Sequence, residues 1–113
     1  KLVNPIYCIN REMLEIVSKL LKIDIPTDFN IYPTFGKVDI KIGQVDSQAG
    51  LYSFNSFIDA INLAKKGEVE GICTLPINKE SWGKAKIPYH GHTEVLRNIF
   101  QKDAIMMLGC SEM

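Results

Sequence analysis

The stretch VEGICTLPINK, residues 69–79, decides the fold because it joins a short apolar strand to a helix start. Residues 69–75 have the β-branched and apolar composition of a strand. Pro76 ends that strand, since proline cannot donate a ladder hydrogen bond. Asn78 is a suitable N-cap for a short helix, which Gly83 is expected to end. A strand that leads directly into a helix predicts an α/β protein.

The segments before this stretch repeat the same order of strand and helix. Residues 6–9 are predicted to form a strand, and Asn10 is predicted to cap a helix over residues 11–22. The apolar residues of 11–22 recur at helical spacing on one face. A weaker second strand is predicted over residues 29–32.

Three further segments complete the predicted topology. Residues 38–42 alternate apolar and polar side chains, which favours an exposed or edge strand, or an arm that pairs with a partner subunit. Residues 52–66 predict a helix, with Ser53 as a possible cap and Gly67 as its stop. Residues 104–108 predict a buried strand. The expected fold is α/β, with a mostly parallel sheet and helices on both faces.

We expect residues 1–113 to form a single partial α/β domain, since a buried parallel strand near the end of a chain normally leads into another crossover. Lysine and arginine number 13 and aspartate and glutamate number 13, so no basic field predicts nucleic-acid binding. No apolar run has the length of a membrane span, and no signal peptide is recognisable, which predicts a cytoplasmic protein. The three cysteines are expected to be buried free thiols: Cys8, Cys73 and Cys110.

Chemistry concentrates in the stretch IPYHGHTE, residues 87–94, which contains both histidines. A helix is predicted over residues 94–100, so His92 and Thr93 should lie at its N-terminus. The free backbone N–H groups and the helix dipole favour an anion there. Thr93 could instead be only a cap, and His92 only a polar loop residue.

Other candidate sites have weaker support. His90 and His92 are two apart, but no further ligand stands at a familiar spacing, so no metal site is assigned to this chain. Lys79 lacks the glycine-rich context of a nucleotide-binding loop and is interpreted as a surface lysine. Trp82 is expected to pack against the sheet.

Four segments together resemble one enzyme family: QAGLY (48–52), GEVEGICTLPINK (67–79), IPYHGHTE (87–94) and AIMML (104–108). They resemble the central part of the 4-hydroxythreonine-4-phosphate dehydrogenases of pyridoxal phosphate biosynthesis. The likeness runs from about Gln44 to the C-terminus, whereas the first 43 residues fit only as a strand, a helix and variable sequence. It implies a fold similar to isocitrate and isopropylmalate dehydrogenases, with two lobes and an active site at a homodimer interface.

The resemblance also implies the chemistry. Such enzymes use NAD and a divalent metal ion to oxidise 4-phosphooxy-threonine, and the product loses carbon dioxide to give 3-amino-2-oxopropyl phosphate. His92 and Thr93 would bind the phosphorylated substrate. His90 replaces a residue that is usually not histidine and receives no role.

The family's metal-binding histidines, its C-terminal phosphate-binding residues and its glycine-rich N-terminal segment lie outside this chain. No catalytic residue is therefore assigned, and the chain alone is expected to be inactive. A non-catalytic phosphometabolite-binding module of the same fold is the alternative, and a phosphoacyltransferase is a weaker third hypothesis.

Overall fold

The computed structural model describes residues 3–26, 29–41 and 43–102, and these residues form two strands and four helices. In chain order the elements are β1 (Tyr7–Cys8), α1 (Arg11–Leu21), β2 (Ile31–Tyr32), α2 (Ser47–Lys65), α3 (Lys79–Lys84) and α4 (His92–Phe100).

The two strands pair in parallel, with Tyr7 opposite Ile31 and Cys8 opposite Tyr32. The Tyr7 ring stacks on Phe29, with ring centroids 4.0 Å apart. Both strands are shorter than the predicted ranges 6–9 and 29–32. The α/β class and the parallel pairing are confirmed for this part of the chain, with α1 as the crossover.

Helix α1 begins where the sequence predicts it. The Asn10 side-chain oxygen accepts the Met13 backbone N–H at 2.8 Å, as an N-cap does. The Asn10 amide also donates to the carbonyls of Thr34 (3.0 Å) and Gly36 (2.7 Å), which lie in the loop after β2. One side chain therefore starts α1 and fixes the loop that leaves the neighbouring strand.

Helix α2 begins five residues earlier than predicted. Asp46 caps it by accepting the Gln48 N–H at 3.2 Å, so the expected cap Ser53 lies inside the helix. Gly50 misled the prediction because glycine is usually a sign of a turn. The predicted stop is confirmed, since Gly67 follows the C-cap with a left-handed φ of 76°.

The two short helices are close to their predicted positions. Asn78 caps α3 by accepting the Ser81 N–H at 3.0 Å, as predicted, but the helix continues through Gly83 to Lys84. Helix α4 begins at His92, two residues earlier than predicted, and Gly91 is its N-cap.

Two predicted strands do not form. Residues 69–75 have no strand structure, and Leu75 is 78% exposed. No neighbouring strand pairs with this segment in the described chain, and a strand without a partner leaves its backbone groups to water. Residues 38–41 also form no strand, although Val38 is buried and Asp39 exposed as the alternation predicts. The predicted strand 104–108 lies outside the described residues.

The core lies between the helices rather than on the sheet. Trp82 is 0% exposed and clusters with Phe57, Ile61 and Val95, so the prediction that it packs against the sheet was wrong. Its indole N–H donates to the Ser53 hydroxyl at 2.9 Å. This bond satisfies the one polar atom that Trp82 brings into the core.

The cysteine prediction holds only in part. Cys8 is half-buried, whereas Cys73 is exposed on the segment that fails to form a strand. Cys110 lies outside the described residues. The helices of the described ranges include none that is both long and apolar enough to cross a membrane.

Candidate functional site

His92 and Thr93 are the first two residues of α4, so both stand in the first turn as the sequence predicts. The N-cap Gly91 has no side chain and makes no capping hydrogen bond. The first helical bond runs from the Val95 N–H to the Gly91 carbonyl at 3.4 Å. The preceding N–H groups are therefore free of a side-chain cap, as an anion site at a helix start requires.

The His92 ring is held by the core. Its centroid lies 4.6 Å from that of Phe57 and 5.7 Å from that of Trp82, and both contacts are edge-to-face. The side chain is half-buried, and this loss of solvation lowers the pKa of His92 below its ordinary value. At neutral pH the imidazole is uncharged and carries one N–H donor and one acceptor nitrogen.

Lys79, the first residue of α3, reaches the start of α4. Its Cε lies 3.6 Å from the position that a Cβ on Gly91 would occupy. The ammonium nitrogen is one bond further along the same side chain. A cation therefore lies close to Gly91, the N-cap of α4, although Lys79 is 12 residues away from Gly91 in the sequence.

Glu94 and His90 border this site. The Glu94 carboxylate accepts the His90 backbone N–H at 2.9 Å and closes the loop that enters α4. Because it is used in this way, Glu94 acts as part of the helix start. His90 itself is exposed.

The arrangement suits anion binding better than metal binding. Across residues 3–26, 29–41 and 43–102, no three histidine, cysteine, aspartate or glutamate side chains come together as a metal site. His92 faces aromatic rings that offer no ligand atom. What the site does offer is a neutral imidazole, a hydroxyl, uncapped backbone N–H groups and a nearby ammonium.

A shallow, open groove lies further along α4 and is separate from this site. Its lining residues are Tyr89, Glu94, Arg97, Asn98 and Gln101. The Asn98 amide donates to the Tyr89 hydroxyl at 2.6 Å within it. None of His92, Thr93 and Lys79 belongs to that lining, so the groove adds nothing to the predicted site.

The sequence correctly placed His92 and Thr93 at the start of a helix, and it did not predict that Lys79 approaches the same helix start. His92 and Thr93 were identified by their position before an amphipathic helix, which is local information. Lys79 was interpreted as a surface lysine, and it is indeed exposed. Its proximity to α4 depends on how α3 packs, and the spacing of residues in the sequence does not show it.

Comparison with known proteins gives one consistent family. A family model described as "Pyridoxal phosphate biosynthetic protein PdxA" matches residues 1–113. A protein of Sulfurimonas denitrificans named 4-hydroxythreonine-4-phosphate dehydrogenase is 47% identical over 113 residues, covering all of this chain and 37% of its own length. The Campylobacter fetus protein of the same name is 46% identical over 110 residues, which are 97% of this chain and 36% of that protein.

A Helicobacter pylori protein of that name is 42% identical over 115 residues, covering 96% of this chain and 38% of its own length. The chain thus spans little more than a third of the curated relatives that it matches. No solved structure matches it.

Proposed function

The chain belongs to the PdxA family of pyridoxal phosphate biosynthetic proteins, and from this premise we propose that it is part of an NAD-dependent 4-hydroxythreonine-4-phosphate dehydrogenase. The observation that carries the proposal is the family match over the whole chain, together with relatives of that name at 42–47% identity. The position of His92 and Thr93 at an uncapped helix start supports it independently.

The proposed reaction oxidises the secondary alcohol of 4-phosphooxy-threonine. The alcohol carbon loses a hydride to NAD and the hydroxyl loses its proton, which gives a β-keto acid. Cleavage of the bond to the carboxylate then releases carbon dioxide and leaves 3-amino-2-oxopropyl phosphate. A divalent metal ion, when bound, would polarise the alcohol oxygen and stabilise the enolate that decarboxylation forms.

The described residues do not fit that metal ion, because no three ligand side chains come together among them. We therefore assign the metal ligands to other parts of the enzyme, and give the described residues no part in metal binding. The larger arrangement stays a proposal as well: residues 1–113 form a single partial α/β domain of a two-lobed, isocitrate dehydrogenase-like homodimer in the cytoplasm, inactive without the rest.

The role that we propose for this chain is substrate binding. The Thr93 hydroxyl and the uncapped N–H groups of α4 would donate to anionic oxygens of the substrate. The His92 imidazole would add a hydrogen bond without adding charge. Its contacts with Phe57 and Trp82 fix the ring before substrate arrives, so little side-chain entropy is lost on binding.

The test is NAD reduction by a full-length gene product that carries this sequence, assayed with 4-phosphooxy-threonine and a divalent metal. His92→Ala and Thr93→Val should each lower kcat/KM by roughly 10- to 100-fold, the effect of losing one hydrogen bond to a charged group. His90→Ala is the matched control, since His90 is two residues away and exposed. It should keep wild-type kinetics.

Because His92 also packs in the core, each variant should be checked for a normal thermal unfolding curve. If the alanine variant is destabilised, His92→Phe should replace it, since phenylalanine keeps an aromatic ring against Phe57 and Trp82 but has no hydrogen-bonding atom. Normal kinetics in a folded His92 variant would refute the substrate-binding role. A wild-type protein that binds the phosphorylated substrate but never reduces NAD would instead be the non-catalytic module.

A further inference from the structure

Lys79 is held in a fixed position relative to the start of α4. Helix α3 packs so closely on α2 that a Cβ on Gly50 would lie 2.3 Å from the Ser81 carbonyl oxygen. Trp82, one turn after Lys79, is fully buried and hydrogen-bonded to Ser53. The backbone from which the Lys79 side chain extends therefore cannot move away from α4 without disrupting the core.

The same tryptophan connects α3 to the start of α4. Trp82 contacts the His92 ring edge-to-face. Lys79 and Trp82 are three residues apart and so lie on neighbouring parts of one face of α3. Lys79 passes Gly91 while Trp82 supports His92, so one face of α3 contacts two successive residues of the loop and helix that carry the proposed site.

The charge at this position is unfavourable without a ligand. The positive end of the α4 dipole and the Lys79 ammonium have the same sign, and a cation is normally disfavoured at a helix N-terminus. Within the described residues Lys79 has no ion-pair partner. The nearby Glu94 carboxylate is already hydrogen-bonded to the His90 N–H. A bound anion would supply the missing negative charge.

We propose that Lys79 is a third substrate-binding residue, whose ammonium pairs with the phosphate or carboxylate oxygens that His92 and Thr93 hydrogen-bond. The inference rests on the proposed function, because it takes the site and its substrate from there. It adds a charged partner from a different helix.

The test compares steady-state kinetics of the full-length gene product in four forms: wild type, Lys79→Met, Lys79→Arg and Lys84→Met. Lys84 is the matched control, since it is an exposed lysine at the other end of α3 whose ammonium lies 3.5 Å from the Val45 carbonyl. Lys79→Met should raise KM for 4-phosphooxy-threonine by about 10- to 100-fold, as expected for one lost charge-assisted hydrogen bond. Lys79→Arg should recover part of that loss, and Lys84→Met should match the wild type.

Competitive inhibition identifies which anionic group Lys79 binds. Inorganic phosphate and acetate are used as separate inhibitors of the wild type and of Lys79→Met. A weaker inhibition of the variant by either anion supports the proposal and names the group. Equal inhibition of both proteins by both anions would overturn it.

The two proposals fail in different ways. A wild-type protein that does not reduce NAD refutes the dehydrogenase assignment, whatever Lys79 does. An active wild type with an unchanged KM in Lys79→Met refutes only the role of Lys79. A fall in kcat alone, with KM unaltered, also refutes it, because a ground-state binding residue must affect KM.

Discussion

Helices α2 and α3 touch at Gly50, and replacement of this glycine by alanine should separate them. A Cβ at residue 50 would lie 2.3 Å from the Ser81 carbonyl oxygen, 2.5 Å from its carbonyl carbon and 3.0 Å from its Cβ. Two of these three atoms belong to the backbone, so no rotamer change can relieve the contact. The added methyl group can be accommodated only if α3 moves as a unit.

The expected cost follows from two opposing effects. Overpacking of a well-packed core by one methyl group costs about 1–3 kcal/mol, and the rigid backbone contact places this site at the upper end. Alanine is better than glycine inside a helix by about 1 kcal/mol, which offsets part of that cost. We expect a net loss of about 2 kcal/mol in the free energy of unfolding, and hence a fall in Tm of about 8 °C.

Thermal unfolding followed by far-ultraviolet circular dichroism measures this change. The fluorescence of Trp82, the only tryptophan of residues 1–113, reports on the contact itself. The control is Gly83→Ala. Gly83 also lies inside a helix, but a Cβ on this residue would meet no atom within 4 Å, so the variant should be as stable as the wild type or more stable by up to about 1 kcal/mol. A Gly50→Ala protein with wild-type Tm would refute the close packing of α2 and α3 described above.

Three further changes test the interactions that position the site. Asn10→Ala removes a helix cap and two hydrogen bonds to carbonyls of the loop after β2, and should lower the free energy of unfolding by about 2–3 kcal/mol in chemical denaturation. Asn10→Asp keeps the cap but loses both hydrogen bonds that the side-chain amide donates, so it should still destabilise the protein. Ser53→Ala leaves the buried Trp82 N–H without its acceptor and should cost about 1–3 kcal/mol, while Ser47→Ala, at an exposed position of the same helix, should have little effect. The pKa of His92 is lower in the folded state than in the unfolded state, so the unfolded state binds the proton more readily. The contribution of neutral His92 to the free energy of unfolding is therefore present above the ordinary histidine pKa and is lost as the pH falls through the lower, folded-state value. Tm of the wild type should fall more steeply on acidification than Tm of His92→Gln, and parallel curves of Tm against pH would contradict this assignment.

Features that depend on a few neighbouring residues could be predicted from the sequence. Asn10 and Asn78 were identified as helix caps, and both accept a backbone N–H three residues later. Gly67 was identified as a helix stop for the same kind of reason. The donor and the acceptor of each of these interactions lie within one helical turn of each other, so the local sequence is enough to predict them.

Features that depend on a partner elsewhere could not be predicted in the same way. The segment 69–75 has strand composition, yet it forms no strand among the described residues because nothing there pairs with it. Gly50 resembles a turn signal, but its role is to admit the Ser81 backbone. In both cases the residue types suit a close contact with another piece of backbone, either a paired strand or a packed helix. The partner lies elsewhere in the chain, so only the fold shows whether that contact forms.

The candidate site combines both kinds of information. His92 and Thr93 could be placed at a helix start because an amphipathic pattern follows them, whereas Lys79 looks like any surface lysine until α3 is packed. Trp82 makes the connection, since it is held by Ser53 on α2 and supports His92 on α4. A change that loosens Trp82 should therefore weaken anion binding through two routes at once, by freeing the His92 ring and by moving the helix that carries Lys79. This coupling predicts that stability and substrate affinity fall together in Ser53→Ala, although Ser53 lies on α2 and not at the start of α4.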